Sequence, residues 1–564
     1  MKKIILSLMA GMVLFTSCDL LNNDPYDSFT KDNYFTSETN VEMYANYFYS
    51  EWTGYGNGSS TGSFYFQWLN DNQVNTGIEP WTFKQAEATD GTWNACYQEI
   101  RRANILLAKI DGVDMSADSK AYYTSLARLY SGWQHYCLVR KFGDCYWVDK
   151  ELTTEDATIL YGKRHNRNVV MDNILDDLNY AIEYMGSKNA SSRTAYNVHV
   201  ANAMKSEICL FEGTYAKYHL KDATRSDKYL AESAAASKAL IDNGMFALTD
   251  GAEGYRANYN SLDLAGNTEM IMYKRYVKNV LGHGTISYNA SSTTTKGISK
   301  AAFNAYLMKD GTLPTGDDHG TLDADGKPSI ANLLEVRDPR LAQQIDSYLC
   351  YRGNDRVRYE GMPGQEDAMS NTSTTGYGCC KFDNPDIPKS DRQTIGQNET
   401  DAPIFWLGEI YLNYAEACAE LNKTSEAIAA INKLRTRVGM GEYKELVDPL
   451  NVANDKVGIV QVTPLVWEVR RERRVELMFD KNDRYWSLIR WHELGRLDTE
   501  EYKDQTKGAW IADEWIQDPA LERDAEGYIT ESGYVRKYDE KHYHAPIPTG
   551  QISLNKEIGQ NLGW

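Results

Sequence analysis

The stretch Pro403–Met440, PIFWLGEIYLNYAEACAELNKTSEAIAAINKLRTRVGM, constrains the fold more than any other part of the chain. Leu407, Ile410, Tyr411, Tyr414, Ala417, Cys418 and Leu421 recur at three-, four- and seven-residue intervals, so they share one helical face. Asn422-Lys423-Thr424-Ser425 breaks that pattern. Thr424 or Ser425 is placed to cap a second helix, with Glu426 in its positive first turn. This second helix buries Ala427, Ile428, Ile431 and Leu434, carries Arg435 and Arg437 at its negative end, and stops at Gly439. Two amphipathic helices with so short a link pack antiparallel. Ala415 and Ala427 fall where tetratricopeptide hairpins use small residues to bring two backbones together. A generic helical hairpin is the plainer alternative. In either case the stretch is scaffold and carries no catalytic constellation.

Other segments repeat the texture. Helical patterns cover Val41 to Trp52, Trp93 to Leu107, Ala121 to Val139, Asn168 to Tyr184, Tyr196 to Tyr218 and Lys228 to Asp242, with short links between them. After Phe246 the chain turns rich in Gly, Ser, Thr, Asn and Asp, and Met270 to Tyr273 reads as a short strand. The expected fold is mainly α: a tetratricopeptide-like helical-repeat scaffold with a large loop-rich irregular region. The expected division is a signal peptide at 1–17, a tether at 18–37, an N-terminal helical region at 38–250, an irregular insertion at 251–402, and a C-terminal hairpin, Arg/Glu helix and tail at 403–564.

The N-terminus fixes the compartment. Lys2 and Lys3 precede the apolar run Ile4 to Phe15, and Thr16-Ser17-Cys18 follows. The run is too short to span a bilayer, and small residues before a cysteine mark a bacterial lipoprotein signal. Cys18 is therefore the expected lipidation site and mature N-terminus, with the acyl chains holding the body to a membrane. A formal charge of −19 disfavours nucleic acid and anionic lipid headgroups as partners. The nine cysteines are irregularly spaced and contain no CxxC, which argues against zinc; Cys137 and Cys145 are close enough in sequence for a local disulfide.

Several patterns touch on chemistry. Gly58-Ser59-Ser60-Thr61-Gly62 matches the hydrolase GxSxG elbow formally, but a polar glycine loop precedes it where a buried strand is needed. Asp323-Ala324-Asp325-Gly326 resembles the start of a calcium loop without its closing glutamate, so a turn is expected. His542 and His544 alternate as on a strand with no further ligand cluster. In Glu472–Phe479 and Arg484–Trp491, charges alternate with large apolar groups, which predicts an Arg/Glu network stitching helices together. No catalytic residue, metal or cofactor is expected.

The aromatic content is 12%, with 39 Tyr and 13 Trp. Flat rings can stack on sugar faces while Asp, Asn and Arg bind hydroxyls. The loop region from Phe64 to Trp93 combines such groups with turn formers. Trp68, Asp71, Asn72 and Trp81 there, with Tyr276 and Tyr288 in the insertion, are the candidate ligand residues; packing of both tryptophans onto the core is the alternative.

Taken together, these pieces resemble the SusD/RagB family of Bacteroidetes surface lipoproteins over nearly the whole chain. The resemblance rests on the Cys18 signal, Arg102-Ala103-Asn104, Lys141-Phe142-Gly143-Asp144, Glu409–Ala417, Ile431–Arg435, the 472–479 and 484–491 pair, and Pro546-Ile547-Pro548 with Asn555, Gln560 and Asn561. Ser487, Gln551, Lys556, Leu562 and Trp564 depart from the family pattern and touch only tail packing. The resemblance implies a non-enzymatic outer-membrane, lipid-anchored receptor for an oligosaccharide or other nutrient. It implies a lid role over a SusC-like TonB-dependent transporter. A peptide receptor of the same architecture stays open. A surface glycosidase would need two carboxylates about 5–9.5 Å apart, which no motif singles out. A purely structural lipoprotein would bind nothing.

Overall fold

The computed structural model describes residues 34–67, 69–75, 81, 85–289, 296–349, 373–451, 458–516, 521–530 and 535–564. The N-terminal part is a run of helices: α1 (Glu38–Ala45), α2 (Gly91–Lys109), α3 (Ala117–Phe142), α4 (Arg167–Tyr184), α5 (Val198–Tyr215) and α6 (Ala223–Ile241). Each opens on Ser37, Asp90, Ser116, Asn166, Asn197 or Asp222, whose side chain accepts a hydrogen bond from a first-turn backbone N–H. Successive helices from α2 to α6 pack on one another as hairpins. Gly213 of α5 permits the close approach of α6, since a Cβ there would meet the Leu230 backbone nitrogen at 2.9 Å.

The middle of the chain is more ordered than its composition predicts. It contains α7 (Gly251–Asn260), β2 (Met270–Lys274) and β3 (Lys296–Ile298). β3 pairs antiparallel with β1 (Gln73–Asn75), with Val74 opposite Gly297. Then comes an antiparallel four-stranded sheet of β4 (Thr321–Leu322), β5 (Pro328–Ser329), β6 (Ile345–Leu349) and β7 (Tyr377–Cys379). The Asp323–Gly326 stretch is the turn between β4 and β5: the Asp323 carboxylate accepts from the N–H groups of Asp325 and Lys327, and Gly326 sits at φ +77°.

β8 (Ala402–Trp406) pairs with β2 and leads directly into the central hairpin, α8 (Leu407–Glu420) and α9 (Thr424–Arg437). Ala415 and Ala427 are fully buried between packed helices. The expected side-chain cap is absent: Lys423 occupies the cap position, and Thr424 is already helical. The turn closes instead through the backbone, with Asn422 at φ +61° and Lys423 N donating to Cys418 O at 2.8 Å. At the other end Gly439 takes φ +74°. Its N–H bonds Thr436 O and the Met440 N–H bonds Arg435 O, a Schellman closure. α10 (Pro464–Glu476) and α11 (Asp483–Arg490) follow, then β9 (Lys507–Trp510) and β10 (Tyr528–Thr530), which pair antiparallel.

Three buried clusters form the interior. One is built from the N-terminal helices, one from the 251–402 region with the early loop, and a small one lies around the hairpin. α8 contributes to all three, through Leu407 and Ile410, Leu412, and Ala415 to Ala419. Charged side chains are buried where these clusters meet. Arg340 binds Asp338, Glu472 and Glu476; Arg437 binds Glu476 and Glu269; Arg435 binds Glu472 and Glu468. Arg490 binds Glu416. Burial pushes the Glu416 carboxyl up, but Arg490, Arg473 and Arg470 outweigh it and hold it at about 2. The Arg/Glu helix thus ties the layers together.

One expectation fails. Cys137 and Cys145 are free, as are all the described cysteines, and every one is buried. The Cys137 thiol lies beside Cys96 of α2, while Cys145 sits past the end of α3 in a bridge to His165.

Candidate ligand-binding site

Trp467, Arg470, Arg471 and Arg474 stand at i, i+3, i+4 and i+7 of α10 and share one face. They line a cleft of about 710 Å³ together with Asp71, Lys300, Asn304, Arg484, Trp491, Glu493, Arg496 and the 501–507 segment. Asp71 receives two parallel bonds from Arg484, at 2.7 and 2.8 Å, and lies 3.3 Å from Arg474. Burial raises the Asp71 pKa, but the two guanidiniums outweigh it and hold the carboxyl far below its ordinary range. Asn72 accepts from Arg474 Nε at 2.7 Å. Glu493 is shared by Arg470 and Arg496. Arg496 stacks on Trp467 at 4.6 Å and Arg470 on Trp491 at 4.5 Å.

Beside this cleft lies a cluster of half-buried rings. His319 stacks on Trp510 at 4.0 Å and 14°, and Trp515 meets Trp510 edge-on at 5.6 Å. The indole of Trp510 donates to Glu526 O at 3.1 Å. Gly527 makes room for it, since a Cβ there would lie 2.7 Å from the indole nitrogen and the residue takes φ +95°. β9 joins the two features: Lys507 at its start lines the cleft and Trp510 at its end carries the ring cluster.

Among the described residues, only Asp71 and Asn72 of the sequence-chosen set come together. Asp71 lines the cleft and Asn72 is buried beside it, and both side chains are engaged in orienting arginines. Tyr276 is 3% exposed, donates to Gly56 O at 2.7 Å and packs on Tyr55 and His283, so its ring offers no face to a sugar. Trp81 donates to Lys537 O and stacks on His542 at 4.2 Å, pinning the early loop to the tail. Tyr288 is half-buried, edge-on to Phe66 at 5.1 Å. Trp68 and Cys18 lie outside the described residues. The sequence carried a signal for the missed groups: the i, i+3, i+4, i+7 spacing on α10, and two tryptophans five apart in Trp510-Ile511-Ala512-Asp513-Glu514-Trp515.

The Gly58–Gly62 stretch is a turn in which Ser60 Oγ accepts from Gly62 N at 2.9 Å, with no helix following it. No group of residues suited to a metal ion occurs among the described residues, and no described helix is long and apolar enough to cross a membrane.

The helical-repeat scaffold thus carries a loop-rich layer, a charged cleft and flanking rings. Residues 253–564 match the model of the SusD family, and residues 19–210 match a family described as starch-binding, associating with outer membrane. The chain belongs to the SusD family. It is 22% identical over 436 residues to SusD-like protein P25 of Formosa agariphila, covering 75% of this chain and 74% of the relative. A SusD-like carbohydrate binding protein of Bacteroides fragilis superposes with a TM-score of 0.68 at 21% identity, over 93% of this chain and all of that one. A second SusD-like protein of Bacteroides fragilis gives 0.66 at 21%, over 96% of this chain and all of that one.

Proposed function

We propose that this protein is a non-enzymatic receptor that captures a glycan in the α10 cleft. It is held to the outer membrane through a lipidated Cys18 and delivers its ligand to a SusC-like TonB-dependent transporter. The observation that carries the proposal is the half-buried Trp510–Trp515–His319 cluster beside a cleft of about 710 Å³. Partly exposed rings next to hydrogen-bonding arginines suit pyranose faces and hydroxyls. The carbohydrate-binding relative supports the same ligand class. The two inner acids, Asp71 and Glu493, are committed to arginines, which favours capture over acid–base chemistry.

Calorimetric titration of the full-length chain with an oligosaccharide panel tests this. Binding is expected without release of reducing sugar. Trp510→Ala or Trp515→Ala is expected to weaken binding by about 1–3 kcal/mol, by analogy with other aromatic platforms. Unchanged affinity in both variants would move the site away from β9. Reducing-sugar release would refute the non-enzymatic assignment.

A further inference from the structure

The cleft is cationic in an acidic protein. Among the described residues its lining holds five arginines and three lysines against five acids, in a chain of formal charge −19. The imbalance is sharpest on the inner wall. There three carboxylates serve four guanidiniums: Asp71 is shared by Arg474 and Arg484, Glu493 by Arg470 and Arg496, and Glu420, which does not line the cleft, also meets Arg470. Arg471 is matched by Asp448 and Glu468, Lys300 by Asp318 and Lys507 by Asp524, and none of these acids lines the cleft.

Two of these side chains are also short of partners. Arg496 is 6% exposed, and its Nη2 has no hydrogen-bond acceptor; Arg470 is 2% exposed, and its Nε has none. A buried guanidinium N–H left unpaired is costly, so an acceptor that reaches either group is favoured, although both are closed off from solvent and a side-chain shift is needed to meet them. Burial lowers the Arg474 pKa to about 9 even though Asp71 raises it, with Arg484 and Arg496 lowering it further. An anion beside it would offset that repulsion. At the mouth, Lys503 is exposed and lines the same cleft.

A neutral sugar needs few cations. Planar carboxylates and sulfate esters match guanidinium forks, which donate two parallel N–H groups. Resting on the glycan-binding function proposed above, we infer that the cleft selects an acidic saccharide, bearing a uronate carboxylate or a sulfate ester seated against Arg474 and Arg496. The stacked rings of Trp510 and Trp515 then hold the neighbouring sugar.

Matched probes test this on the full-length chain in non-ionic detergent. One pair is tetragalacturonate and its methyl ester. The other is a carrageenan tetrasaccharide sulfate and its desulfated form. Neutral laminarihexaose and maltohexaose complete the set. One charged probe is expected to bind at least about tenfold more tightly than its uncharged partner, as suits a charge-assisted hydrogen bond. The affinity is expected to fall as salt rises from roughly 50 to 200 mM. The arm that binds identifies the group as carboxylate or sulfate. Arg496→Gln is expected to remove about tenfold in affinity. Lys503→Glu, at an exposed position, is expected to weaken binding several-fold and to flatten the salt dependence.

Equal binding of charged and uncharged partners, or binding of the neutral hexasaccharides alone, overturns the inference and leaves the glycan function standing. Charge-selective binding that is indifferent to both substitutions also overturns it, because the anion then sits elsewhere. Failure of every saccharide to bind refutes the glycan function and the inference together.

Discussion

His135 and His283 are each saturated in one neutral tautomer. His135 Nδ1–H donates to Ser131 O at 2.9 Å while its Nε2 accepts from Val148 N at 3.1 Å. His283 Nε2–H donates to Thr400 O at 3.1 Å while its Nδ1 accepts from Thr285 N at 3.2 Å. A second proton on either ring would face a backbone N–H. Burial lowers both from 6.5 to about 3. The unfolded chain takes up these protons near pH 6.5 and the folded chain resists until about 3, so their contribution to stability is lost as pH falls through that window. The stability advantage of the protein over His283→Asn is therefore expected to narrow between pH 6.5 and about 3. Thermal melts of both across the window check this, and a constant gap would place the ionisation elsewhere. The chemistry of single residues was legible in the sequence, but their partners were not. Asp71 reads as a free acceptor among turn formers, yet its partner Arg484 lies 413 residues away. Tyr276 reads as a loop ring, yet Tyr55 and His283 cover it.

Helices announced themselves through local rules, so the bounds of the α8–α9 hairpin follow its sequence pattern, although Ile428 is only half-buried and Ala430 is buried instead. Periodicity, small residues and Gly439 all act within one element or between neighbours. The missing Thr424 cap marks the limit of local rules, because the backbone turn at Asn422 supplies the closure without it. Apart from Met270–Tyr273, which the sequence marks and β2 contains, the short strands were the least legible. β1 and β3 pair across more than two hundred residues, and β6 meets β7 only at Ile345–Cys379 and Leu349–Tyr377, so neither has a strong period of its own. Close helix approach makes one prediction at this scale. Ala427→Leu is expected to lower the free energy of unfolding by about 1–3 kcal/mol through overpacking, as read by urea melts. An unchanged midpoint would mean that α8 and α9 have slack between them.

Across the whole molecule, the tail closes the structure. Asn561 donates to Phe142 O and Ala545 O and accepts from Arg164, while Gln560 holds Ile547 at both its N–H and its carbonyl. Asn555 reaches Tyr146 and Gly162. The last residues thereby staple the end of α3 and the following loop to the C-terminus. Asn561→Ala is expected to cost about 2–3 kcal/mol, since it strands two carbonyls and a guanidinium N–H. It should also expose the C-terminus to limited proteolysis before the helices melt; simultaneous loss of both would show that the tail and the helices unfold as one unit. The buried ion network has a consequence for how such a chain is made. Its members lie at 269, 338, 340, 416, 435, 437, 468, 472, 476 and 490, so no early segment contains a complete set of partners. A chain emerging N-terminus first cannot seal this interior until Arg490 is out. Glu269 stays hydrated until Arg437 is out, and Glu416 until Arg490 is, because a carboxylate without its guanidinium is costly to bury. The last quarter of the polypeptide thus sets the moment at which the middle becomes rigid.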